Sequence, residues 1–303
     1  MAGLAFARFV GYGHRVGFGC THEQRELMVD GAWKTPGALE IAAARAIFAP
    51  WHHLTAPVFL HTDRVPQDRP VLFIANHTLM GVLDTPLLML GIHERTGHYP
   101  RSMADDFHYA VPLWRDMLSH FGAVPGSRDA CRALMRDGAS LLVFPGGGRE
   151  VFKRRGEQYK LIWGKRSGFA RMAFEAGYTI VPVAAVGADD CYRILLDQND
   201  LERYAPLRKL LSFAPRKDVG FPTIVAGLGG TLVPIPERFY FSFGEPIESA
   251  HFQGRGDDET MIFELREAVR MALEAEIADL LRYRDADPRR SFKSRWVPFE
   301  ANR

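Results

Sequence analysis

Val71-Leu72-Phe73-Ile74-Ala75 is an unbroken apolar run that stops abruptly at Asn76-His77. So short and so uniformly apolar a run reads as a buried β-strand. Similar runs recur along the chain, and strands are expected near Val58–His61, Val71–Ala75, Ala123–Pro125, Leu141–Phe144, Ile180–Ala185 and Phe239–Phe243. Helical stretches intervene at Pro86–Thr96, Asp129–Asp137, Ser167–Ala176 and Glu259–Arg284. In the last of these, Ile262, Leu265, Val269, Leu273, Ile277 and Leu280 recur at helical spacing and are expected to face the core. Alternation of strand and helix specifies an α/β fold with a mostly parallel central sheet and helices on both faces.

Three of the expected strands run into chemistry, at His77, at Arg128 and at Gly146 to Glu150, and a parallel sheet gathers such ends at one edge. His77 ends the first, and a carboxylate, Asp84, follows it. An imidazole at a strand's end, oriented by a carboxylate, can take a proton from a hydroxyl near neutral pH; the alternative is a surface loop with an incidental histidine. Leu141-Leu142-Val143-Phe144-Pro145 runs into Gly146-Gly147-Gly148-Arg149-Glu150. Successive glycines let the backbone approach a ligand closely and present N–H groups to an anionic or polarised oxygen.

These blocks resemble the glycerolipid acyltransferase superfamily, which includes the lysophosphatidic acid acyltransferases. Asn76-His77 through Asp84-Thr85-Pro86-Leu87-Leu88 resembles the first family block, and Phe121-Gly122-Ala123-Val124-Pro125-Gly126-Ser127-Arg128 the second. Phe144 to Glu150 occupies the third, and Ile180-Val181-Pro182-Val183 the fourth. The resemblance implies a glycerol-3-phosphate acyltransferase-like α/β domain in which His77 is the general base and Asp84 its partner. Substrate binding is expected from Asn76, Arg128, Gly146, Gly147, Gly148, Arg149 and Glu150; Glu150 is expected to orient one of the arginines, and Asn76 to shape the turn holding His77 rather than take part in the chemistry.

Two departures refine that expectation. Six residues separate His77 from Asp84, more than the family usually has. On a continuous helix this spacing turns through about 700° and sets the two side chains about 10 Å apart along the axis. Contact therefore requires Gly81 to break the segment. The phospholipid-forming members also carry a glutamate where this chain has Gly146. Pro145-Gly146-Gly147-Gly148-Arg149-Glu150, Arg166-Ser167-Gly168-Phe169 and Phe243-Gly244-Glu245-Pro246 look more like the diacylglycerol acyltransferase branch. That likeness implies an uncharged acceptor, such as diacylglycerol or a long-chain alcohol, rather than a lysophosphatidic acid.

The 303 residues suit one α/β domain over residues 55–303, with a helical lead-in over residues 1–54. Leu39 to Trp51 within the lead-in reads either as an interfacial helix or as a helix packed on the core. No uncharged apolar run reaches the roughly eighteen residues of a membrane-spanning helix. Arg8, His14 and Arg15 interrupt the first twenty residues, which do not read as a secretory signal. Cys20, Cys131 and Cys191 lack paired spacing, as in a reducing, cytoplasmic setting. Lys153, Arg154, Arg155, Lys160, Lys165 and Arg166 form a basic run that is either a solvated face or a contact for coenzyme A phosphates or lipid head groups. Arg289 to Phe299 mixes cations with aromatics, suiting a membrane interface or a disordered tail. Val219 to Pro236, rich in Gly and Pro, supports little regular structure and reads as a hydrophobic flap or a buried connection.

The expected activity is acyl transfer from acyl-CoA to a lipid hydroxyl, at a membrane surface to which the protein binds peripherally. No nucleophilic Ser or Cys adjoins His77, so direct transfer is expected rather than a covalent acyl-enzyme. Acyl-CoA is a co-substrate; no resident cofactor, metal or nucleic-acid partner is implied. The alternatives are a lysophosphatidic acid acyltransferase, a thioester or ester hydrolase, and a catalytically weak lipid-binding protein.

Overall fold

The computed structural model describes residues 35–104, 118, 120–204, 223–252 and 258–296. The start of the lead-in, Cys20 and the last seven residues lie outside them. The chain runs α1 (Ala38–Thr55), β1 (Val58–Leu60), β2 (Val71–Ala75), α2 (Thr85–Thr96), β3 (Arg101–Ala104) and β4 (Val124–Pro125). It continues through α3 (Arg128–Arg136), β5 (Leu141–Val143), α4 (Gly147–Val151), α5 (Gly168–Ala176), β6 (Thr179–Val186), β7 (Arg193–Leu196) and α6 (Gln198–Arg203). After β8 (Ile224–Ala226) come β9 (Tyr240–Phe243), β10 (Ile247–Glu248), α7 (Asp258–Ala286) and α8 (Phe292–Trp296).

The main sheet has the order β1-β9-β6-β2-β5-β3-β4, with β10 also pairing β6. All neighbours are parallel except β9 and β10, which run antiparallel to β6. The mostly parallel α/β fold expected from the sequence is thus the one formed. Its centre explains the apolar run: every residue of β2 is buried. Leu72 and Ile74 face a layer that includes Leu134 of α3, Phe169 and Ala173 of α5, and Leu265, Val269 and Leu273 of α7. Val71, Phe73 and Ala75 face Leu87, Leu88 and Ile92 of α2, with Phe48 and Trp51 of α1 packed alongside. Helices therefore cover both faces, as a parallel sheet requires. The six apolar positions anticipated on the long C-terminal helix are all buried.

Local signals set the helix ends. Pro86 sits in the first turn of α2, and Gly97 ends it in the left-handed conformation (φ +76°). Ser127 caps α3 by accepting a hydrogen bond from the Ala130 N–H at 3.1 Å. β3, β7 and β10 escaped the sequence reading because each is two to four residues long and opens on or includes a charged or polar residue. β8 lies within the stretch expected to lack regular structure; pairing with β7 supplies what its Gly- and Pro-rich surroundings do not. Of the two readings of α1, its inner side packs on the core: Trp51 meets Phe239 edge to face and donates from Nε1 to Leu83 O at 2.8 Å. Leu39 and Ile47 on its outer side stay exposed. Among the described residues no helix is long and apolar enough to cross a membrane.

Gly91 of α2 gives room to Phe59 of β1, which stacks on Phe241 with ring centroids 4.9 Å apart. A Cβ at position 91 would overlap the Phe59 ring. Gly91→Ala is expected to destabilise the fold by about 1–3 kcal/mol through overpacking, measured by urea unfolding.

Candidate active site

β2 lies between β5 and β6, with Ile74 opposite Val143 and Ala75 opposite Val183. The chain leaves β2 and β5 at the same sheet edge, so His77 comes to lie on Phe144. Their rings stack with centroids 4.3 Å apart and planes inclined by 21°. Under the imidazole the chain turns sharply: Met80 and Gly81 both take positive φ, +66° each. A Cβ on Gly81 would stand 2.5 Å from His77 Cε1 and 3.0 Å from Nδ1, so only glycine lets the backbone approach the ring this closely. Gly81 breaks the segment here, and the hydrogen bond that Asp84 accepts comes from Thr78, the residue after His77. The His77 ring is half-buried, and its Nδ1 is buried.

The loop carrying His77 is pinned residue by residue. Asn76 donates from its amide to Ala185 O (2.9 Å) and accepts from Ala185 N (2.8 Å), so it extends the sheet pairing by a side chain. The His77 N–H donates to Glu150 Oε2 at 2.8 Å. Thr78 Oγ1 donates to Asp84 Oδ1 at 2.9 Å. The Leu79 N–H donates to Asp189 Oδ1 (2.6 Å) and the Met80 N–H to Val151 O (3.0 Å). Glu150, Asp84 and Asp189 are buried carboxylates, and Lys153, also buried, ion-pairs with Asp189 at 2.7 Å. Asp189 Oδ2 further accepts from the Tyr159 N–H at 2.8 Å, and Glu150 Oε1 from the Ile162 N–H at 2.7 Å.

Burying these acids shifts their protonation. Desolvation pushes the Asp84 carboxyl up to about 6 against the hydrogen bond from Thr78, which favours the charged form. Desolvation also raises the Glu150 carboxyl, opposed by its bonds from the Ile162 and His77 amides.

The glycine run is not an open loop. Gly147 to Val151 turn into the short helix α4, and the Gly147 N–H donates to Phe144 O at 3.0 Å. A Cβ on Gly146 would fall within the Glu150 carboxyl group, so the missing side chain makes room for that buried acid. Glu150 accordingly grips backbone amides on either side of the site rather than orienting an arginine. Arg149 pairs with Glu157 at 2.6 Å, and Arg166 donates to Gly146 O. Arg128, the first residue of α3, stands exposed beyond the end of β4. The basic run divides: Lys153 is interior, Arg155 pairs with Asp200 (2.7 Å), and Lys160 and Lys165 are exposed. Sequence reading missed Asp189 and Thr78 as parts of this site and gave Lys153 a surface role in place of its interior one. Lys153 was hidden in a charge run, and Asp189 follows β6 without a motif around it.

Residues 58–186 match the sequence model of a family described as Acyltransferase. The chain is similar to phytyl ester synthase 2, chloroplastic, of Arabidopsis thaliana, at 35% identity over 80% of this chain and 38% of that protein. It is also similar to the human DGAT1/2-independent enzyme synthesizing storage lipids, at 31% identity over 68% of this chain and 60% of that one. The chain spans little more than a third of the length of the phytyl ester synthases it matches (38% and 35%). A crystal structure of the 1-acyl-sn-glycerophosphate (LPA) acyltransferase from Thermotoga maritima aligns with a TM-score of 0.43 and 15% identity, over 90% of this chain and 95% of that one.

Removing one member of the buried ion pair leaves the other charge uncompensated. Lys153→Met is expected to cost about 3–5 kcal/mol of unfolding free energy. Adding Asp189→Asn, which removes the uncompensated charge and keeps an acceptor oxygen for one of the Leu79 and Tyr159 amides, should recover part of it; denaturant melts of both variants check this. Asp84 carries a testable pH dependence. Its folded-state pKa lies above the unfolded value, so its stabilising contribution is present in acid and declines as pH rises from about 4 to about 6. Asp84→Asn, which keeps an acceptor for Thr78, removes that decline. Its stability relative to the unaltered chain should rise by on the order of 3 kcal/mol between pH 4 and pH 7, followed by unfolding at each pH.

Proposed function

We propose that the chain, whose residues 58–186 match the acyltransferase family model, transfers a fatty acyl group from acyl-CoA to the hydroxyl of a neutral lipid, such as diacylglycerol or a long-chain alcohol. The observation that carries the reading is His77 itself: a half-buried imidazole at the sheet edge, stacked on Phe144 and seated on Gly81. With Nδ1 buried, Nε2 is the nitrogen that takes the proton. The acceptor oxygen, losing its proton to Nε2, attacks the thioester carbonyl. Collapse of the tetrahedral species breaks the C–S bond, and the proton passes from the imidazolium to the departing thiolate. Asp84 acts as a positioning residue, through Thr78 and the loop that carries the ring.

The glycine turn beside His77 supplies the polar surroundings for the developing oxyanion. Exposed Arg128, together with Lys160 and Lys165, takes the donor's phosphates. Gly146 supports the choice of a neutral acceptor. The place where phospholipid-forming relatives carry a glutamate has no space for a side chain here, because Glu150 fills it from within. The names of the similar proteins, phytyl ester synthases and a storage-lipid enzyme, point to the same class of acceptor. The protein works as a peripheral enzyme at a lipid surface, where such acceptors reside.

The test is an acceptor panel. Labelled acyl-CoA is offered with diacylglycerol, monoacylglycerol, lysophosphatidic acid or a long-chain alcohol, and the labelled ester is quantified. Neutral acceptors should dominate; equal or better use of lysophosphatidic acid would overturn the acceptor assignment. His77→Ala should lower the transfer rate by about 10²–10⁴-fold while the melting transition stays put; unaltered transfer would remove His77 as the base.

A further inference from the structure

β7 and β8 form a separate antiparallel ribbon outside the main sheet. A two-stranded ribbon is marginal on its own, and this one is fastened to the site's framework. Thr223 Oγ1 donates to Lys153 O at 2.9 Å, the Ile235 N–H to Cys191 O at 2.9 Å, and Arg155 donates to Ile194 O (3.3 Å) and Leu195 O. Its outer side is nevertheless apolar. Arg193 and Leu195 of β7 and Ile224 of β8 are exposed, Ile194 and Leu196 are half-buried, and the pairing shifts register between Ile194 and Leu196, where Leu196 stands opposite Ile224. Beyond β8 the chain closes a tight hairpin, Leu228 N donating to Val233 O at 2.7 Å. This tip exposes Leu228, Leu232 and Val233 by 56–67%. Large aliphatic side chains at a loop tip gain nothing from water, and a connected group of them marks an interaction surface.

The charges at this surface select the occupant. Arg193 stands exposed on β7 next to these aliphatic residues, and the Arg154 guanidinium bonds Asn199 (2.9 Å) while its backbone N–H donates to Glu157 (2.7 Å). Apolar side chains interspersed with arginines match a bilayer's acyl boundary and anionic head groups. The ribbon also starts just past the Ala188–Cys191 turn, whose Asp189 holds Leu79, and returns to Lys153. We propose that the outer side of the β7–β8 ribbon, with its Leu228–Val233 tip, is the surface by which the protein docks on an anionic lipid bilayer. Docking there seats the membrane beside the elements that clamp the His77 loop. The inference rests on the reading above that the acceptor is a lipid.

The full chain is sedimented with vesicles of phosphatidylcholine alone and of phosphatidylcholine with phosphatidylglycerol. Binding should increase with phosphatidylglycerol, and Arg193→Glu should abolish that increase. The combined Leu228→Ser, Leu232→Ser and Val233→Ser variant should bind about tenfold more weakly. Its turnover with acyl donor and acceptor dispersed in solution should match the unaltered chain. Leu232→Trp, tested separately, should show a blue-shifted emission that brominated lipid quenches. Vesicle binding by the triple variant equal to that of the unaltered chain would overturn the proposal, as would indole emission from the Leu232→Trp variant that brominated lipid leaves unquenched. So would a tip-dependent dimer in gel filtration with unchanged vesicle binding. Tip-dependent vesicle binding without any acyl transfer would uphold the docking surface and overturn the enzymatic reading alone.

Discussion

The buried Lys153–Asp189 pair is the interaction on which the rest of the site depends. Asp189 faces three donors: the Lys153 ammonium, the Tyr159 amide and, on its other oxygen, the Leu79 amide of the His77 loop. Burying two charges confers little net stability even when they are well paired. What the pair gives is position. It ties the turn after β6 to the chain following α4, and both to the loop that ends β2. Without a cation at Lys153, three buried carboxylates, Asp84, Glu150 and Asp189, would share one interior with no opposing charge among these four residues.

Packing and polarity cooperate around that anchor. The parallel register of β2 with β5 and β6 brings three strand ends together, and the residues just past them hydrogen-bond across strands. Asn76 completes β2 against β6 with a side-chain amide, and Glu150 reaches from α4 to the His77 amide. Two glycines make the approach possible, Gly81 under the imidazole and Gly146 beside the Glu150 carboxyl. A proton acceptor needs an orientation that persists between turnovers. Here the backbone on both sides of His77 is fixed by groups from four separate elements of the chain.

Much of the fold was legible because burial leaves a compositional trace. Val71–Ala75, wholly buried, is wholly apolar, and the α7 positions that meet the sheet recur at helical spacing. β3 and β10 left no such trace, being short and partly polar. In the site, His77 and the glycine turn were legible because each follows directly on an apolar strand. Lys153 was not, since a buried lysine and a solvated one look the same within a basic run; only the distant Asp189 sets it apart. Glu150 was found but given the wrong partner. Its bonds go to amides, and every residue but proline carries an amide, so sequence holds no sign of which ones are used.

Direct transfer with His77 as base makes a demand that can be measured without knowing the acceptor. The purified chain is mixed with acyl-CoA alone, and its intact mass is recorded by mass spectrometry before and after a long-chain alcohol is added. Direct transfer predicts an unmodified protein mass throughout, with coenzyme A released and ester formed only once the alcohol is present. A stoichiometric acyl adduct on the protein, formed without acceptor and cleared by the alcohol, would contradict it.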